Sequence, residues 1–300
     1  MAPLSDESHR LSGDQWRAWG EAGDRAGDGV VHDEVLGIPG LRATTEPLAR
    51  LVSAAVAAHH GGRPGAGLVG LTGGVAAGKT TTAGALAAVL GQDHGLSSET
   101  LSTDGFLWPN AELERRGLTA RKGYPETYDY QVMLAAVAAL ASGNRRVEVP
   151  VYDHLTYDVV AGQVVEVGAA DVVIVEGLNV LQAPPSGDGA WVADQLDLGI
   201  YVDAAEADLR SWYHQRVTRL RAEATGDGSS FYDAFSALDD EAFAQVADQV
   251  WELVNLPNLV DHIEPSRDRA DVVVVKASDH SVHEVRARSP RARTLLEAHW

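Results

Sequence analysis

Gly73-Gly74-Val75-Ala76-Ala77-Gly78-Lys79-Thr80 fills every fixed position of the pattern G-x-x-x-x-G-K-[ST]. An apolar run, Leu68-Val69-Gly70-Leu71, precedes it and suits a buried parallel strand. Thr80 to Leu90 follows and reads as a helix. Strand, glycine loop and helix N-terminus together form a phosphate cradle. Backbone N–H groups converge on phosphate oxygens, and the helix dipole adds partial positive charge. Thr81 continues the loop into the helix. Lys79 can reach the β- and γ-phosphates of a nucleotide, and the Thr80 hydroxyl can ligate Mg²⁺. ATP and Mg²⁺ are the expected cofactors.

The surrounding chain alternates strands and helices, which predicts an α/β fold. Its sheet is mostly parallel, with helices on both faces in three layers. Strands are expected at Glu99 to Ser102, Val147 to Tyr152, Asp171 to Val175, Leu198 to Val202 and Val272 to Val275. Val164 to Val167 reads as one side of a small ribbon. Helices are expected at Thr45 to His60, Tyr130 to Ser142, Ala205 to Ala224 and Asp240 to Val254. Three segments result: residues 1–43 as an acidic, loosely ordered extension with a short helix near Gln15 to Ala22, 44–289 as the main domain, and 290–300 as a peripheral tail. Trp16 and Trp19 lie three apart on that short helix.

Of 300 residues, 24 are Lys or Arg and 43 are Asp or Glu, for a formal net charge of -19. Such a surface argues against nonspecific binding to nucleic acid or to an anionic membrane. With no cysteine, disulfides and thiolate metal sites are excluded. The eleven histidines show no metal-site spacing. Met1 to Asp14 lacks the layout of a signal peptide, and no stretch is long enough to span a membrane. Cytoplasmic residence is expected.

Two carboxylates fall at strand ends, where open parallel sheets bind ligands. Asp104, in Thr103-Asp104-Gly105-Phe106, can orient a substrate hydroxyl and accept its proton late in phosphoryl transfer. A pKa of about 3.9 suffices for that task. Glu176 closes Val172-Val173-Ile174-Val175 and can hold Mg²⁺, directly or through water. The helix of residues 205–224 carries Arg210, Arg216, Arg219 and Arg221. A guanidinium there can stabilise charge on a transferring phosphate, and the residues alone do not choose among the four. Lys122, Tyr124, Tyr128, Tyr152, His154 and Tyr157 lie in loops suited to a small polar substrate.

The motifs resemble one family, the bacterial type I pantothenate kinases within the phosphoribulokinase and uridine kinase group. The matches begin with the phosphate loop and Thr103-Asp104-Gly105-Phe106-Leu107-Trp108-Pro109-Asn110. They continue through Arg121-Lys122-Gly123-Tyr124-Pro125-Glu126-Thr127-Tyr128-Asp129 and Pro150-Val151-Tyr152-Asp153-His154-Leu155-Thr156-Tyr157-Asp158. They end with Glu176-Gly177-Leu178-Asn179-Val180-Leu181-Gln182. The likeness spans about residues 67 to 288. It implies a P-loop NTPase fold with a helical lid and ATP-dependent phosphorylation of the primary hydroxyl of pantothenate.

By that resemblance Asp104 is the catalytic acid, and Tyr152, His154 and Tyr157 form the substrate loop. Tyr213 and Arg216 match the lid helix, which selects Arg216 among the arginines. Asn258 matches the substrate asparagine, and Lys276 and His280 match residues on the adenine side. A homodimer is also implied. Two departures stand out. Val217 and Leu220 replace aromatic residues after the lid arginine, leaving open a nucleoside or a pantothenate-like alcohol as acceptor. Gly84 replaces an arginine that helps hold coenzyme A as feedback inhibitor, so weakened inhibition is expected. A guanine-reading N-K-x-D motif is missing, which argues against a GTPase switch. Intact Lys79, Thr80, Asp104 and Arg216 argue against a catalytically silent protein.

Overall fold

The computed structural model describes residues 10–21, 34, 35, 38, 39, 41–60, 65–185, 187, 189–224, 226 and 228–298. In chain order, β1 (Arg10–Ser12), α1 (Gly13–Glu21), β2 (Glu34–Val35), β3 (Ile38–Pro39) and α2 (Leu41–His60) precede the phosphate loop. β4 (Gly67–Gly73) leads into it and α3 (Lys79–His94) leaves it. There follow β5 (Ser98–Ser102), α4 (Asn110–Arg115), α5 (Tyr130–Ala141), β6 (Val147–Asp153), β7 (Asp158–Val167) and β8 (Val172–Glu176). The chain continues with β9 (Leu198–Ala204), α6 (Glu206–Glu223), α7 (Asp240–Val250) and α8 (Leu256–Asn258). It ends with β10 (Val272–Lys276), β11 (Val282–Ala287) and α9 (Pro290–Ala298).

The main sheet has seven strands in the order β1-β11-β10-β9-β4-β8-β5. β10, β9, β4, β8 and β5 run parallel, and β11 and β1 pair antiparallel at one edge. All seven residues of β4 are buried. A strand with alternating faces can be buried throughout only if both faces are covered. A Cβ on Gly67 would meet Val56 of α2 at 2.5 Å, and one on Gly70 would meet Leu196 at 2.4 Å. These two positions differ in parity, so they face opposite layers. The mostly parallel sheet flanked by helices is the architecture expected from the sequence.

The helices read from the sequence appear as α2, α5, α6 and α7 with displaced ends. The ribbon forms from β6 and β7. Beyond α7 the helix widens into π turns at Trp251–Asn255 and Leu259–Ile263, on either side of α8.

Within residues 10–21 the short helix is α1, and the segment packs against α2 and β11. β1 pairs with β11. Trp16 is fully buried, stacks on Trp19 at 5.5 Å and donates its indole N–H to the carbonyl of Thr44. Burying two tryptophans supplies the apolar area that an acidic segment otherwise lacks. The tail, too, is helical. Ala292 and Leu296 of α9 are buried, and Arg291 donates to the carbonyl of Ala55. Most of the remainder of 1–43 lies outside the described residues. Among the described residues, no helix is long and apolar enough to cross a membrane.

Trp16→Ala is expected to lower unfolding stability by about 3–5 kcal/mol, the usual cost of deleting a buried aromatic. Equilibrium urea unfolding measures this. A change under about 1 kcal/mol would place residues 10–21 outside the cooperative unit.

Candidate functional site

The loop's shape begins with a close approach. Gly73 has φ 150°, and a Cβ there would lie 2.3 Å from the carbonyl oxygen of Val202 on β9. Only glycine fits against that backbone. At the other end Gly78 has φ 83° and a left-handed conformation that starts α3. Between them Ala77 N–H donates to Gly74 O, and Thr82 N–H returns to Gly78 O. The first N–H groups of α3 have no partners within the helix, which suits them to phosphate oxygens.

Lys79 folds back onto this loop, its Nζ donating to the carbonyls of Gly73 at 3.1 Å and Gly74 at 2.8 Å. Burial pushes its ammonium down to about 8, while Glu176 and Asp104 oppose the shift. A polyphosphate would supply the negative charge that the buried cation lacks.

Sheet register brings the acidic residues to the same edge. Glu176 is the last residue of β8, opposite Leu71 on β4 and Ser102 on β5. Asp104 lies two residues beyond β5 in a 3-10 turn, half-buried, with its N–H directed at the Ser102 hydroxyl. Burial raises the carboxyl of Glu176, and Lys79 pulls it back. Thr80 Oγ1 donates to Glu176 Oε1 at 3.4 Å. This hydroxyl–carboxylate pair is an oxygen donor set that fits a hard cation such as Mg²⁺. No group of three His, Cys, Asp or Glu able to hold a metal occurs among the described residues. Phosphate and water oxygens would complete the shell, as Mg²⁺ commonly requires.

A cavity of about 760 Å³ opens beside the loop. Lys79, Thr80, Asp104 and Glu176 line it, together with Tyr152, His154 and Tyr157 from the β6–β7 region. Tyr213 and Arg216 enter from α6, and Asn258 from α8. The structure therefore gathers the expected acceptor-side residues around one space. Tyr152 packs edge-on against His154 at 5.2 Å and Tyr157 at 6.1 Å. Burial pushes the Tyr157 phenol up to about 12 and the His154 imidazole down. Both groups therefore stay neutral hydrogen-bonding partners near neutral pH. Asn258 donates to the carbonyl of Gly123 at 2.9 Å, while its buried Oδ1 has no protein partner. Arg216 is half-buried on the cavity wall, and no ion pair involves it among the described residues. Arg210 and Arg221 instead pair with Asp248 and Asp240.

Lys276 and His280 stand elsewhere. Lys276 Nζ donates to Ala77 O and Thr82 Oγ1, bracing the phosphate loop from outside the large cavity. His280 stacks on Trp212 at 4.1 Å. Both line a separate space of about 30 Å³.

Two cavity residues had only a general reading from sequence. Lys122 is held by Asn110 and the Tyr157 carbonyl. Tyr128 is buried, and its hydroxyl has no protein partner. A third group, Phe231, Tyr232 and Phe235, forms an apolar end together with Val217, Leu220 and Phe243. The aromatic density of Phe231-Tyr232…Phe235 was the available signal for that end.

The phosphoribulokinase/uridine kinase family description matches residues 68–236. Pantothenate kinase from Sorangium cellulosum is 47% identical over 223 residues, covering 74% of this chain and 72% of that protein. Pantothenate kinase from Mycobacteroides abscessus is 37% identical over 314 residues, covering 96% and 99%. A solved structure described as a fructose transport system kinase from a Silicibacter species is 30% identical, with a TM-score of 0.58. It covers 73% of this chain and 94% of that one. D-Glycerate 3-kinase from Cryptococcus neoformans shares the fold, with a TM-score of 0.56 at 17% identity. This chain belongs to the phosphoribulokinase/uridine kinase family and, within it, to the pantothenate kinases.

Proposed function

We propose that this protein transfers the γ-phosphoryl group of ATP to the primary hydroxyl of pantothenate, yielding 4'-phosphopantothenate and ADP on the way to coenzyme A. One observation carries the reading. The phosphate loop and Asp104 face a single cavity whose other wall is phenols, an imidazole and an amide.

In this reading the acceptor hydroxyl lies against Asp104. Its oxygen bonds to the γ-phosphorus as the bond to the β–γ bridging oxygen breaks. The hydroxyl proton passes to the Asp104 carboxylate, and the electron pair of the broken bond leaves on ADP. Lys79 leaves the loop carbonyls for the β- and γ-phosphates. Arg216, on α6, neutralises charge on the equatorial oxygens. Thr80 and Glu176 would hold Mg²⁺, which when bound offsets phosphate charge. Tyr152, His154, Tyr157, Tyr213 and Asn258 orient the acceptor. Gly73 to Thr81 embrace the phosphates, while Lys276 and His280 support the nucleotide side.

Val217 and Leu220 favour a second reading, since both line the apolar end where the aromatic residues of the resemblance would stand. A pantothenate-like alcohol with a differently shaped tail would suit that end. An ADP-release assay with pantothenate, pantetheine and uridine side by side separates the readings. Turnover is expected with pantothenate, and turnover of uridine alone would overturn the proposal.

Asp104→Asn is expected to cut kcat by at least ~10²-fold while leaving ATP binding within about twofold by calorimetry. Near-normal turnover would remove Asp104 from the chemistry. Gly84, half-buried in the second turn of α3, carries no side chain toward an anionic inhibitor. Coenzyme A is therefore expected to inhibit weakly. Competition with ATP at low micromolar coenzyme A would contradict this.

A further inference from the structure

Tyr157 adopts a left-handed backbone with φ 55°. Residues with a Cβ rarely enter that region unless their surroundings hold them there. Its carbonyl oxygen is where the holding occurs. Lys122 Nζ donates to it at 2.5 Å and Asn110 Nδ2 at 3.1 Å. The same ammonium donates to Asn110 Oδ1 at 2.6 Å, which closes a triangle of three contacts.

The ammonium also sits 4.4 Å from the ring centre of Tyr157 and 5.1 Å from that of Tyr152. The next residue is tied to the same place, since Asp158 Oδ1 accepts from the Asn110 N–H at 2.9 Å. Beyond the clamp, the Tyr157 ring stacks on Phe231 at 4.8 Å.

We infer that Lys122 is a positioning residue. With Asn110 it clamps the Tyr157 backbone left-handed, so that the rings of Tyr157 and Tyr152 form the acceptor wall. This rests on the reading of the cavity as the acceptor site. The chemistry required is specific. One group must donate to two oxygens about a single point and attract two aromatic faces. A compact ammonium does this, whereas a planar guanidinium distributes its donors differently. Burial disfavours the charged form of Lys122, and the Asp158 and Asp104 carboxylates oppose that loss.

Lys122→Met keeps most of the length and the apolar stem but removes donors and charge. Its KM for pantothenate is expected to rise about tenfold or more, with the KM for ATP within about twofold and kcat affected less. Asn110→Ala should shift the same constant in the same direction. Tyr157→Gly supplies the decisive background, because glycine accepts positive φ freely and has no ring to hold. There Lys122→Met should add less than about twofold. A full additional tenfold effect in that background would overturn the inference. So would an equal rise in both KM values accompanied by a lower Tm, which marks a merely structural role.

A crystal structure of Lys122→Met supplies a readout without turnover. Tyr157 is expected to leave the left-handed region or its stack on Phe231, and retention of both would sink the clamp. If the wild type phosphorylates another alcohol and not pantothenate, the functional proposal fails. The same cycle, run with that alcohol, then still tests Lys122.

Discussion

The close approach of two backbones at Gly73 sets the geometry on which the site depends. Where a Cβ would lie 2.3 Å from the Val202 carbonyl oxygen, β4 and β9 can run side by side only because there is none. The chain leaves β4 at that point, arches over the loop and enters α3 with its N–H groups exposed. The strands on either side extend the same edge. Glu176 is carried there by β8 and Asp104 by the turn after β5. The parallel register thus turns three separate sequence motifs into one surface.

Charge and burial work against each other across that surface. Lys79 and Lys276 are both driven down to about 8 by desolvation, while burial raises the Glu176 carboxyl. Both lysines satisfy their protons on backbone carbonyls of the loop, and Lys276 also reaches the Thr82 hydroxyl. Cations and an acid partly stripped of water are poised for an anionic ligand with its own counter-ion. A bound polyphosphate would favour the charged form of the two lysines, and its counter-ion that of Glu176. The aromatic wall of the cavity follows another rule. Burial keeps its phenols and imidazole neutral, with Lys122 as the half-buried cation behind them.

Much of this was legible in the sequence because it depends on local spacing. The phosphate loop, the apolar strands and the acids at their ends follow from residues that are neighbours in the chain. Edge features were harder to read. β11 buries Val282, Val285 and Ala287 without strict alternation. β1 is three residues long and acquires its partner more than 270 residues later. Trp16 and Trp19 were visible as a helical pair, but their burial depends on α2 and the sheet edge. Arg216 could be chosen only through the family resemblance. The structure supplies a physical distinction, because Arg210 and Arg221 engage carboxylates and Arg216 faces the cavity.

The sequence by itself determined the phosphate-binding device, the parallel α/β class, the two strand-end acids and the kinase family. Each is written in contiguous residues whose conformational limits are intrinsic: glycine's freedom, a helix N-terminus, an unbroken apolar run. Tertiary structure alone decided which distant side chains share a space. It brought Lys122 and Asn110 to the carbonyl of Tyr157. It seated Lys276 on the loop rather than in the large cavity, and gave that cavity an apolar end from Val217, Leu220 and Phe231. These relations depend on how layers pack and on what burial does to charge, and no spacing along the chain encodes either.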